Sequence, residues 1–204
     1  MSEINTVRTA VTCMAKNTAG QLHREDYYTM MLFAALWPEL NTRLLGTTGI
    51  GLEDLTPDRI GNYAERLRQR YLPDTKNYFA DLLITAPNYG APLKSTLEID
   101  EVLQQIPITH IYEFKFFASF PTLPRQVARK DTYKLKILGE YIRIACGQLP
   151  HMEQFVFMSH RNAKRQHSIE SLLEWFQEDQ FVADTSGVIV SVVDTNGMIH
   201  EAKE

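Results

Sequence analysis

Apolar and polar positions recur along the chain with two periods, near 3.6 and near 2, and these predict its elements. Residues 22–37 (LHREDYYTMMLFAALW) have helix-favouring content and should stop before Pro38, because a residue preceding proline is pushed out of the helical region. Residues 55–72 predict a clearer helix. There Thr56 is placed to cap and Pro57 suits the first turn, while Ile60, Tyr63, Ala64, Leu67 and Tyr71 form one apolar stripe. Residues 77–86 (NYFADLLITA) read as a strand, ended by the turn-rich 87–92 (PNYGAP). The stretch 93–106, which the pattern does not assign, leads into a second strand, 110–117 (HIYEFKFF). A long helix follows at 123–145, then a buried strand at 153–160 and a helix at 168–179 capped by Ser168. A strand at 187–194 and a short hairpin return at 198–201 complete the chain. This order predicts an α/β domain with a mixed central sheet flanked by helices.

Charges break the apolar pattern in three elements. In 110–117 the period of two puts Ile111, Glu113, Lys115 and Phe117 on one face and His110, Tyr112, Phe114 and Phe116 on the other. A carboxylate and an ammonium therefore sit in the middle of an otherwise apolar strand. That stretch alone reads as a half-exposed strand with a same-face ion pair. In 77–86, Asp81 shares a face with Phe79 and Leu83, while Ala80, Leu82 and Ile84 line the other, and an aspartate is unfavourable there by propensity and by burial. In the long helix Asp131 falls on the stripe of Val127, Leu135, Leu138, Ile142 and Ala145, with Lys134 beside it. Local rules tend to break where function overrides them.

Composition bounds the class. A chain of 204 residues that is 44% hydrophobic can bury a core as one domain, 1–204. No apolar run is long enough for a membrane span, the longest candidate being 30–37, and the N-terminus lacks a secretory layout. Cys13 and Cys146 stand far apart without metal-type spacing, which points to a cytoplasmic chain without a disulfide framework. His151, His160 and His167 near Cys146 match no zinc pattern, and GTTGIG (46–51) lacks the lysine and helix of a phosphate loop.

Net charge is −4, which by itself argues against a nucleic-acid binder, but the charge is uneven. Residues 125–165 carry Arg125, Arg129, Lys130, Lys134, Lys136, Arg143, Arg161, Lys164 and Arg165 against Asp131, Glu140 and Glu153, a surplus of +6 on a remainder of −10. The expectation is a basic face for an anionic partner; a lysine- and arginine-rich solvated helix face is the plainer alternative.

An aspartate in one strand (Asp81 in FADLLI), Glu-x-Lys in the next (Glu113-Phe114-Lys115 in YEFKF) and a long polar-studded helix resemble the PD-(D/E)XK nuclease superfamily, the restriction-endonuclease-like fold. The resemblance spans about residues 20–160. It implies an αβββαβ core whose N-terminal helical part would be about 20–72. Ala80 stands where the family name has proline, and 32 positions separate Asp81 from Glu113, so a segment at about 86–107 reads as inserted. The resemblance further implies a metal-dependent nuclease using Mg²⁺ or Mn²⁺. Asp81, Glu113 and the Phe114 main-chain carbonyl would be ligands, and Glu25, with Asp26 second, would add an acid from the N-terminal helix. Lys115 would assist the attacking water, and Lys134, Lys130 or Tyr133 would contribute from the long helix.

Hard carboxylate oxygens suit Mg²⁺, and a lysine two residues along the strand stands on the same face to offset phosphate charge. DNA is the expected substrate. Arg125, Arg129, Lys130, Arg161, Lys164 and Arg165 are its expected contacts, and a homodimer or partner subunit would supply a second site for paired cuts. Two other readings stand beside this one: a non-catalytic nucleic-acid-binding or interaction protein that keeps the fold, and a structural α/β domain in which Glu113–Lys115 is only an ion pair.

Overall fold

A computed structural model describes residues 2–18, 25–87, 107–116, 125–158 and 168–202, with main chain only at 25–27, 42, 47 and 48. The elements in chain order are α1 (Glu3–Thr18), α2 (Glu25–Leu40), β1 (Leu44–Gly51), α3 (Pro57–Tyr71), β2 (Asn77–Thr85) and β3 (Ile108–Phe116). They continue with α4 (Arg125–Cys146), β4 (His151–Phe157), α5 (Ile169–Glu174), α6 (Asp179–Asp184), β5 (Val188–Val193) and β6 (Ile199–Glu201). The described strands form one six-stranded sheet in sequential order. β1, β2 and β3 pair antiparallel, β3, β4 and β5 pair parallel, and β6 returns antiparallel. The fold is therefore α/β with a mixed sheet. Among the described residues no helix is long and apolar enough to cross a membrane.

Helices cover both faces. On one, Val7, Val11 and Met14 of α1 and Leu32 and Leu36 of α2 pack on Tyr112, Phe114, Phe155 and Val193 of the sheet. On the other, Ile60, Ala64 and Leu67 of α3 and Leu135, Leu138 and Ile142 of α4 pack on Leu83, Ile111, Val156 and Val192. The alternation in β3 is the reason: Ile111 joins the second core and Tyr112 and Phe114 the first, so the Glu113 and Lys115 face looks toward α4.

Several sequence expectations need correcting. The region 20–72 is not wholly helical, since it contains β1 and the helix α3 that follows it. Helix α1 and strand β1, rich in threonine and glycine respectively, carried no pattern that singled them out. Helix α2 runs past Pro38 to Leu40. A proline in the last turn removes a single N–H bond and leaves little helix beyond it to disrupt. Thr56 occupies the cap position of α3 without a side-chain capping bond, whereas Ser168 Oγ does accept from the Ser171 N–H (3.2 Å). The helix expected over 168–179 ends at Glu174, and α6 follows separately. Val127 is 40% exposed, so the buried band of α4 begins at Ala128 and Asp131.

Strand β2 departs from strict alternation. Tyr78 and Ala80 join the α3/α4 core, while Leu82 and Ile84 join the opposite one. The β1–β2 register runs through unbroken, so both strands turn together, as a twisted two-stranded ribbon does. Asp81 sits at the turning point. Gly49 of β1 lies there too: an added Cβ would stand 2.4 Å from the Tyr78 carbonyl oxygen and 2.3 Å from the Phe79 ring. Gly49→Ala should therefore destabilise by about 1–3 kcal/mol, the usual cost of overpacking, read as a lowered midpoint in urea with unchanged slope.

The connection from β2 to β3 leaves and returns at one neck, where the Ala86 N–H donates to the Pro107 carbonyl (2.9 Å). The rest of the segment expected as an insertion, 88–106, lies outside the described residues. Between α1 and the sheet sits a buried polar contact. Glu153 of β4 is 0% exposed and receives Arg8 Nη2 at 2.8 Å, Ser191 Oγ at 2.8 Å and His151 Nε2 at 3.2 Å. Arg8 also reaches Glu201 of β6 at 2.6 Å, so one guanidinium ties α1 to two strands.

Candidate functional site

Where β2 and β3 part, their side chains take over from the ladder. The β2–β3 pairing starts at Leu82–Tyr112 and does not extend back to Asp81. Instead the Phe114 N–H, left without a β2 carbonyl, donates to Asp81 Oδ2 at 2.8 Å. That bond fixes the Asp81 carboxylate beside Glu113, the residue preceding Phe114. Glu113 is 8% exposed on the α4 side of β3, and among the described residues no side chain hydrogen-bonds or ion-pairs its carboxylate. Burial, followed by the charges of Asp81 and then Asp131, holds its carboxyl well above the usual carboxylate range.

Helix α4 lays Asp131 over this face. Its carboxylate, 4% exposed, receives Lys115 Nζ on Oδ2 at 2.8 Å and Lys134 Nζ on Oδ1 at 2.9 Å. The Lys134 contact is an aligned hydrogen bond, and the Lys115 contact is one of charge without that alignment. The helix is anchored in this register by Gln154 of β4, which stands opposite Glu113 in the sheet. Gln154 Nε2 donates to the Ala128 carbonyl at 3.1 Å, and its Oε1 accepts from Thr132 Oγ1. Neither Gln154 nor Thr132 was singled out from the sequence. A glutamine adjoining the apolar run FVFM in a buried strand was the available signal.

Asp81, Glu113, Asp131, Lys115 and Lys134 thus come together: three carboxylates and two ammoniums, with net charge −1 when all are ionised. Among the described residues no three His, Cys, Asp or Glu side chains converge to hold a metal. Any divalent cation at Asp81 and Glu113 would keep most of its shell as water or ligand oxygen, which is the habit of Mg²⁺ rather than Zn²⁺. The two ammoniums beside it suit an anionic ligand.

The other expected residues scatter. Phe114 meets Asp81 through its N–H, and its ring packs in the α1/α2 core. Glu25 opens α2, but its carboxylate, like that of Asp26, lies outside the described residues. Tyr133 faces away from the cluster, stacked on Tyr71 at 4.1 Å and edge-on to Phe181. Arg129 also points away from Asp131, two residues and some 200° along the helix. It donates to the Trp175 carbonyl (2.7 Å), pairs with Glu178 (2.8 Å) and covers the Phe181 ring. Arg125 pairs with the same Glu178.

Lys136 and Arg143 both pair with Glu140, at 2.9 and 2.7 Å. Of the described basic residues in 125–158, Lys130 alone is exposed with no ion pair to a described residue. Glu178, from outside the segment, meets one charge of the +6 surplus. Arg161, Lys164 and Arg165, with His160 and His167, lie outside the described residues. His151 belongs to the opposite face, on Glu153. Comparison of the chain with protein-family models, curated proteins and solved structures finds no match.

Proposed function

We propose that the chain is a metal-dependent phosphodiester hydrolase of the restriction-endonuclease-like fold, acting on DNA. The observation that carries this reading is Glu113: a buried carboxylate without a side-chain partner among the described residues, next to the oriented carboxylate of Asp81. A buried carboxylate is costly unless it is neutralised, and a divalent cation bound between the two would neutralise it. The element order supports the fold: a helix, three strands with α3 inserted between the first two, a long helix and a parallel fourth strand.

The donor set fits Mg²⁺ or Mn²⁺, with Asp81, Glu113 and the Phe114 main-chain carbonyl as proposed ligands. The cation would supply Lewis-acid stabilisation and an acidified water. Asp81, held by the Phe114 N–H, sets the orientation of the acidic pair. Lys115 and Lys134 supply positive charge for a phosphate that enters beside Glu113. Lys115 also orients the attacking water. DNA contact is proposed for Lys130 with Arg161, Lys164 and Arg165, through phosphates and hence with strong salt dependence. Arg125 and Arg129 could join that surface only by giving up Glu178.

Incubation with supercoiled plasmid tests this directly. Conversion to nicked or linear DNA is expected with Mg²⁺ and not with chelator. Salt-sensitive DNA binding with no cleavage would instead favour a non-catalytic binding protein that keeps the fold.

A further inference from the structure

We infer that Asp131 keeps Lys115 and Lys134 off Glu113 and so reserves that carboxylate for a divalent cation. The inference rests on the metal-site reading above. Both lysines stand close to Glu113. Lys115 is two residues away on the same face of β3, about 7 Å along the strand, and Lys134 lies one turn beyond Asp131 on α4. Their charges act on the Glu113 carboxyl, Lys134 more than Lys115. Yet both ammoniums make their contact with Asp131, one on each oxygen, at 2.8 and 2.9 Å. Glu113, the more central carboxylate on the sheet, has no such contact among the described residues.

Asp131 and its two lysines together add little net stability over apolar packing of the same volume, so stability alone does not account for a buried aspartate on the apolar side of α4. Its position between the two lysines gives it a different use. With Asp131 neutral, two half-buried ammoniums would lose that contact beside the carboxylates of Asp81 and Glu113, and Glu113 has no side-chain partner among the described residues to hold it apart from them. A lysine seated on Glu113 competes with a cation for the same oxygens. Asp131 is a positioning residue in this account: it touches neither cation nor substrate.

The test is Mg²⁺ titration by calorimetry on Asp131→Asn, Asp131→Asn/Lys134→Met and the unaltered protein, with circular dichroism reporting the fold. Asp131→Asn should weaken Mg²⁺ binding by about 10-fold or more, within the range seen when a supporting residue behind a metal ligand is lost. Removing Lys134 from that variant should restore affinity toward the original value, which a merely structural role for Asp131 would not do. Equal affinity in Asp131→Asn and the unaltered protein, or a double variant as weak as the single one, overturns the inference. If Asp131→Asn does not fold, the triple variant Asp131→Asn/Lys115→Met/Lys134→Met removes both ammoniums that Asp131 holds and carries the test. It must bind Mg²⁺ at least as tightly as the unaltered protein, and loss of binding overturns the inference. No Mg²⁺ binding by the unaltered protein would instead remove the metal-site reading on which the inference stands.

Discussion

Glu113→Gln should abolish Mg²⁺-dependent cleavage and, at neutral pH, raise the stability of the metal-free protein. The two effects have one cause. Burial and the neighbouring Asp81 and Asp131 raise the Glu113 carboxyl well above its ordinary value. Between the unfolded value, about 4.3, and the raised folded one, the folded chain holds a proton that the unfolded chain releases. Stability then falls as pH rises through that window, because the folded state binds more protons. Glutamine keeps the shape and carries no such proton, so the advantage of the variant should grow with pH across the same window. In a chain of this size each kcal/mol moves the melting temperature by about 2–4 °C. A pH series of thermal melts in chelator checks the sign, and a variant less stable than the original at every pH would contradict it.

Arg8→Ala should destabilise by about 3 kcal/mol, the lower end of the cost of stranding one member of a buried ion pair. Glu153 is fully buried, and without Arg8 its partners among the described residues are Ser191 and His151. Arg8 is itself 26% exposed, and its second partner Glu201 is 49% exposed, so the rim contact adds little. The expected fall in melting temperature is roughly 6–12 °C. The double variant Arg8→Ala/Glu153→Gln should recover part of the loss, since no charge is then stranded, and that non-additivity isolates the pair. Strictly additive losses would assign the effect to helix packing instead.

The chemistry of the cluster was legible because charges interrupted an apolar period. Glu113 and Lys115 broke the alternation of β3, and Asp131 broke the stripe of α4. Each interruption marked a side chain that the fold turns inward. Asp81 was legible as an anomaly but not as a hydrogen-bond acceptor, since its role depends on where the β2–β3 ladder ends. Strict period-two reasoning misassigned the faces of β2 because the ribbon twists there.

Long-range pairing was not legible at all. Arg8 and Glu153 stand 145 positions apart, and nothing local in α1 announces that contact. The partners of the basic segment were hidden for the same reason: Glu178, from a distant element, meets Arg125 and Arg129. Helix α1 and strand β1 lacked any strong pattern, and their places are set by the sheet and by close approaches such as that at Gly49.

Asp81 and Glu113 are proposed to hold a divalent cation together. The most direct measurement is the shift in melting temperature on adding Mg²⁺, at pH 5 and at pH 8, for the unaltered protein and for Glu113→Gln. The unaltered protein should gain stability with Mg²⁺, and more at pH 8, because the ligand carboxyl must lose its proton to bind metal. Glu113→Gln should start higher in chelator and respond little at either pH. An unaltered protein indifferent to Mg²⁺, or a variant that responds as strongly, would rule out a cation held by this pair.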